Sequence, residues 1–118
     1  MTLNHVHLAG PDVKALAAFY GTWFGFRRTA DHGDGQFLRD GAGFLLALDP
    51  APGPGTFPPW FHLGFCLDSP AAVKDLHSRM KEAGVPFARD LLEFEGEAAA
   101  FYCLDPAGTK VEVSWHAE

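Results

Sequence analysis

The sequence predicts an α+β domain of two βαβββ modules, forming a curved mixed sheet with its helices on the outer face. Three observations lead to that architecture. The stretch "DPAPGPGTFPP", residues 49–59, is so dense in Pro and Gly that it continues neither a helix nor a central strand, and it divides the chain into similar halves. Each half then opens alike, with an alternating strand carrying a histidine, a short turn and a helical pattern. Each half also closes alike, in "LRDGAGFLLALD" (38–49) and "LDPAGTKVEVSW" (104–115), a strand end, a tight Asp/Gly turn and a second strand. At 118 residues these are halves of one domain, 1–118, with module 1 over about 1–49, the linker over about 50–59 and module 2 over about 60–118.

The elements follow in order. "LNHVHLAG" reads as a strand over about 3–9, sending His5 and His7 to one face and Val6 and Leu8 to the other. Asp12 is placed to cap a helix running to Phe24, and Gly25 to stop it. Val13, Leu16, Tyr20 and Phe24 form the apolar stripe of that helix. Phe19 and Trp23 fall off the stripe, so either a second subunit or core packing must cover them. In the second half the strand spans about 60–67, Ser69 and Pro70 open a helix, and Gly84 closes it. Val73, Leu76, Met80 and Ala83 share its apolar face, with Lys74, Asp75, Arg79 and Lys81 elsewhere. Asp40 and Gly43 correspond to Asp105 and Gly108 at one constant offset, which completes the internal repeat.

Composition narrows the function. The net charge of −6, with no cluster of Lys and Arg among aromatics, argues against a nucleic-acid partner. No apolar run is long enough to cross a membrane and no signal-peptide pattern opens the chain, so a cytoplasmic enzyme or binding protein is expected. Cys66 and Cys103 make neither a disulfide framework nor a CxxC motif and read as free, buried cysteines.

Sorting the strands by face gathers the chemistry. Phe61, Leu63, Phe65 and Leu67 oppose His62, Gly64 and Cys66; Val111, Val113 and Trp115 oppose Lys110, Glu112 and Ser114; Phe101 and Cys103 oppose Tyr102. The apolar rows must lie under the helices, leaving His5, His7, His62, Glu112 and Tyr102 on the open face. Imidazoles and a carboxylate from three strands suit a facial metal site with open positions; a merely wet face is the other reading. His32, His77 and His116 read as surface residues of a loop, a helix flank and the C-terminal tail.

"LNHVHLAGPDVKALAAFYGTWFGFRR", "FHLGFCLDSP" and "FYCLDPAGTKVEVSW" together resemble the vicinal oxygen chelate superfamily, which includes glyoxalase I, extradiol dioxygenases, fosfomycin-resistance transferases, methylmalonyl-CoA epimerase and bleomycin-binding proteins. The resemblance runs through the whole chain and implies the glyoxalase/dioxygenase-like fold. It places the metal ligands at His5, His62 and Glu112, for a divalent ion such as Fe, Mn, Zn, Ni or Co that chelates adjacent substrate oxygens. Implied with it are lyase, isomerase, transferase or dioxygenase chemistry on a small molecule, and a homodimer, often with the site shared between two chains. The alternative is a metal-free sequestering protein of the bleomycin-binding type, a branch that typically lacks these ligands.

Departures from the family pattern are informative. Ala47 stands at the pseudo-symmetric position of Glu112, where glyoxalase I places a fourth ligand. "EFEGEAAAF" (93–101) offers none of the serines of the fosfomycin enzymes. His7 is the candidate general base, or else a solvated histidine beside the site; Tyr102 is a candidate donor to a substrate oxygen, or an aromatic wall; Trp60 is a candidate wall of the site, or an anchor of the Pro-rich linker.

Overall fold

The structure, a computed structural model, describes residues 1–53 and 57–118, so the middle of the expected linker, 54–56, lies outside the described residues. The chain forms two compact units, the N-terminal half with Pro106–Gly108, and Phe57–Asp105 with Thr109–Glu118.

The first unit runs β1 (His5–Gly10), α1 (Val13–Phe24), β2 (Arg27–His32), β3 (Gly35–Arg39) and β4 (Leu45–Pro50). Its strands form a four-stranded mixed sheet in the order β1-β4-β3-β2, with β1 parallel to β4 and the other pairs antiparallel. The Asp12 carboxylate accepts from the Ala15 amide at 3.0 Å and starts α1, and Gly25, at φ 73°, ends it. Leu16 and Tyr20 pack the helix on Leu8, Leu38, Leu46 and Leu48, all at most 2% exposed. Phe19 is buried as well, edge-on to Tyr20 at 5.0 Å, so packing within the chain covers it.

The second unit repeats the order with β5 (Leu63–Cys66), α2 (Pro70–Glu82), β6 (Phe87–Phe94), β7 (Ala98–Leu104) and β8 (Lys110–His116). Its sheet is β5-β8-β7-β6, with β5 parallel to β8. The first strand is shorter than its apolar pattern suggests, because the Phe61 amide bonds back to the Pro58 carbonyl and turns the chain just before it. Ser69 caps α2 through the Ala72 amide at 3.1 Å, with Pro70 in the first turn. Val73, Leu76 and Met80 face Phe101, Val111 and Val113 in the core, whereas Ala83 is the exposed C-cap of the helix. The two closing hairpins are the same device. The Asp40 carboxylate accepts from the Ala42 and Phe44 amides and that of Asp105 from the Thr109 amide, while Gly43 and Gly108 hold φ of 86° and 84°.

Both cysteines are free, and the two differ in burial. Cys103 is buried, and burial pushes its thiol pKa up to about 12. Cys66 is exposed, because alternation in β5 turns it to the face the helix leaves open. Ellman's reagent should therefore titrate one thiol in the native protein and two in guanidinium; two in the native state would contradict this burial.

His77, read from the sequence as a surface residue, has a side chain only 12% exposed. It bonds Asp90 at 2.6 Å and packs against Phe87 and Phe101. Asp90 accepts from the Leu91 amide and from His77, and both hold its carboxyl below the usual carboxylate value. A lowered folded pKa gives stability that is present above the unfolded pKa and disappears as pH falls through the folded one. Asp90→Asn should thus lower Tm at neutral pH, and the gap to wild type should close on the acid side of the carboxylate range. A gap that persists at pH 2 would refute the assignment.

Candidate functional site

The open face of the second sheet is laid out by its register. Tyr102 of β7 lies opposite Glu112 of β8, which lies opposite Gly64 of β5. His62 precedes β5 on the same face. Its Nε2 stands 3.8 Å from the Glu112 Oε2, with the two side chains 38% and 20% exposed. His62 Nδ1 lies 3.1 Å from the Trp60 carbonyl, which only accepts, so Nδ1 carries the proton and Nε2 offers a lone pair. The Tyr102 ring meets the His62 ring edge-on at 5.2 Å. Its hydroxyl donates to Glu112, and that bond, with partial burial, pushes the phenol pKa above its ordinary value. Tyr102 is therefore a protonated donor.

Beside this cluster opens a cavity of about 300 Å³ lined by Trp60, His62, Ala88, Arg89, Tyr102 and Lys110, with Pro59 at its edge. Trp60 is part of that lining. Lys110 Nζ donates to the Pro59 carbonyl at 2.5 Å and anchors the segment that carries His62. The Arg89 guanidinium lies 5.7 Å from the Tyr102 ring centroid. Sequence reasoning missed Arg89, because β6 breaks the alternation twice. Its register shifts between Phe87 and Arg89 and again between Arg89 and Leu92, and these bulges turn Arg89 onto the open face.

In the first unit, His5 and His7 share a face of β1 as expected. His5 Nδ1 bonds Asn4 Oδ1 at 2.7 Å, so its Nε2 also offers a lone pair. His7 differs, for its Nε2 donates to the Asp49 carboxylate at 2.6 Å and leaves Nδ1 as the acceptor. Any Cβ at Gly35 would collide with the Asp49 carboxylate and the Leu48 carbonyl, so glycine there clears the space Asp49 fills. Asp49 was also missed, because only the parallel β1–β4 register, which sets Ala47 opposite His7 and Asp49 two residues on, brings it to His7, and no local sequence signal shows that register. Ala47 faces His7 as Glu112 faces Gly64, so His5 and His62 hold equivalent places in their units. Among the described residues no three of His, Cys, Asp and Glu gather as a metal site.

The model of the Glyoxalase/Bleomycin resistance protein/Dioxygenase superfamily matches residues 2–113. The chain belongs to that superfamily. An uncharacterized protein of Pseudomonas aeruginosa, PA2024, is 36% identical over 97% of this chain and 88% of its own length. Among solved structures, a possible glyoxalase from Bacillus cereus is 31% identical with a TM-score of 0.81, covering 96% of this chain and 97% of that one. The fosfomycin resistance protein FosX of Listeria monocytogenes, solved as a mutant with Mn(II) and 1S,2S-dihydroxypropylphosphonic acid, has a TM-score of 0.80 at 21% identity and covers 98% of this chain and 89% of that one. It shares the superfamily's fold. Within the superfamily, this chain pairs a His–Glu cluster in one unit with Ala47 at the equivalent glutamate position of the other.

Proposed function

We propose that this chain is a metal-dependent enzyme acting on a small molecule with two adjacent oxygens, with His5, His62 and Glu112 as ligands to a divalent ion. One observation carries the reading. In the neutral tautomer set by the Trp60 carbonyl, His62 Nε2 presents a lone pair toward the Glu112 carboxylate at 3.8 Å, too far for a hydrogen bond, so the two face each other as a nitrogen and an oxygen donor. His62 Nε2 and Glu112 Oε2 would hold a divalent cation between them, the nitrogen and oxygen donors such an ion takes. The backbone partner on His62 Nδ1 is the kind of outer support that fixes a ligating imidazole. Fe, Mn, Zn, Ni and Co all suit the donor set, and Mn is the first to test, given FosX. When bound, such an ion supplies Lewis-acid polarisation of substrate oxygens.

The chain's own groups supply the rest. Tyr102 donates to an oxygen near Glu112, Trp60 walls the cavity, and His7, its Nε2–H held by Asp49, presents Nδ1 as general base. Lyase, isomerase, transferase and dioxygenase chemistry are all compatible with that set. The reading includes a cytoplasmic homodimer; no helix among the described residues is long and apolar enough to cross a membrane. Elemental analysis of wild type beside His5→Ala, His62→Ala and Glu112→Ala tests the proposal. Near-stoichiometric metal in wild type and its loss in all three variants is the expected result. Wild type no richer in metal than the variants favours a metal-free sequestering protein instead.

A further inference from the structure

The same open face extends beyond the ligand cluster, and its rows change character along β7. From Tyr102 the register steps to Ala100, opposite Leu92 of β6 and Ser114 of β8, and then to Ala98, opposite Phe94. The steps are two residues each, so the face runs roughly 13 Å from the first row to the last. Its floor is made of small side chains. Its outer wall is Leu92 and Phe94, 48% and 56% exposed. β6 is one of the two edge strands of its sheet, where large apolar side chains invite aggregation unless something covers them. At the head of the lane Arg89 stacks on Tyr102 and has no carboxylate partner among the described residues. The β6 bulge makes this arrangement. Arg89 and Leu92 are three residues apart and would face opposite ways in a regular strand, whereas the register shift sets both on one face.

We propose that the lane is the substrate subsite for an organic anion with an extended apolar body, its charged group at Arg89 and its body lying over Ala100 and Ala98 against Leu92 and Phe94. The proposal rests on the metal-dependent reading for the reacting oxygens and adds the substrate class. A purely polar substrate would leave the wall wet. A neutral apolar one would leave Arg89 without a partner.

Calorimetric titration of the full chain with straight-chain carboxylates from butyrate to octanoate, and with the matching primary alcohols, tests it. Affinity for the carboxylates should rise about twofold to fourfold per methylene, the upper figure being full burial of each group. Arg89→Gln should weaken octanoate about tenfold or more and leave octanol unchanged. Ala100→Phe should flatten the chain-length series while leaving butyrate in place; Leu92→Ser with Phe94→Ser should flatten it too. A series flat in wild type, or an Arg89→Gln protein that binds octanoate as well as wild type, overturns the proposal. So does a fall from dimer to monomer in the Leu92/Phe94 double variant, since a second copy would then be what covers the lane. Titrations run on both chelator-treated and Mn(II)-loaded protein separate the two readings. Chain-length dependence without metal binding refutes only the metal site, and metal binding with a flat series refutes only the lane.

Discussion

Glu112→Gln is expected to lower divalent-cation affinity on the order of a hundredfold or more while leaving the fold intact. The amide keeps the shape of the side chain and an oxygen that accepts from Tyr102, so neither packing nor that hydrogen bond is lost. What disappears is the charge facing His62 Nε2 at 3.8 Å. Thermal unfolding with added Mn(II) reads the difference directly. At a metal concentration a hundredfold above the dissociation constant, binding stabilises wild type by about 2.7 kcal/mol. A site a hundredfold weaker gains only about 0.4 kcal/mol at the same concentration. Metal should therefore raise Tm clearly in wild type and barely in the variant. Equal shifts in the two proteins would place the cation elsewhere.

The second large effect is structural. Phe101→Ala should destabilise the protein by about 3–5 kcal/mol. Phe101 is wholly buried at the centre of β7, with His77 at 5.2 Å and Phe87 at 5.6 Å around its ring. Its truncation leaves a cavity that α2 and β8 can fill only by moving off their common core. Against a total of about 5–15 kcal/mol for a domain of this size, that loss takes a large share of the stability. Urea unfolding should show a lower midpoint at an unchanged slope. A loss below about 1 kcal/mol would mean that the neighbours close over the gap.

Much of this molecule is legible in its sequence, for local reasons. Asp12 and Ser69 cap helices through bonds to amides three residues on, and Gly25 and Gly84 end them by a backbone conformation that only glycine adopts freely. The closing hairpins are fixed by Asp and Gly within five residues of each other. Alternation in regular strands also sorted β1, β5, β7 and β8, and so set His62, Glu112 and Tyr102 on one face before any register was known. What alternation cannot supply is the partner across the sheet. Asp49 closes the His7 dyad only because β1 lies parallel to β4, a neighbour more than thirty residues away in the chain. His77 looks like a helix flank until Asp90 and Phe87 of β6 fold over it. Arg89 is the clearest instance. Period-two reading fails wherever a strand carries an extra residue, and whether it does depends on pairing with β7. The sequence by itself determined the two modules, their caps and their turns, because each is written within a few residues. Only the tertiary structure decided the His7–Asp49 bond and the turn of Arg89 toward the site, because both depend on strand register, which no single segment contains.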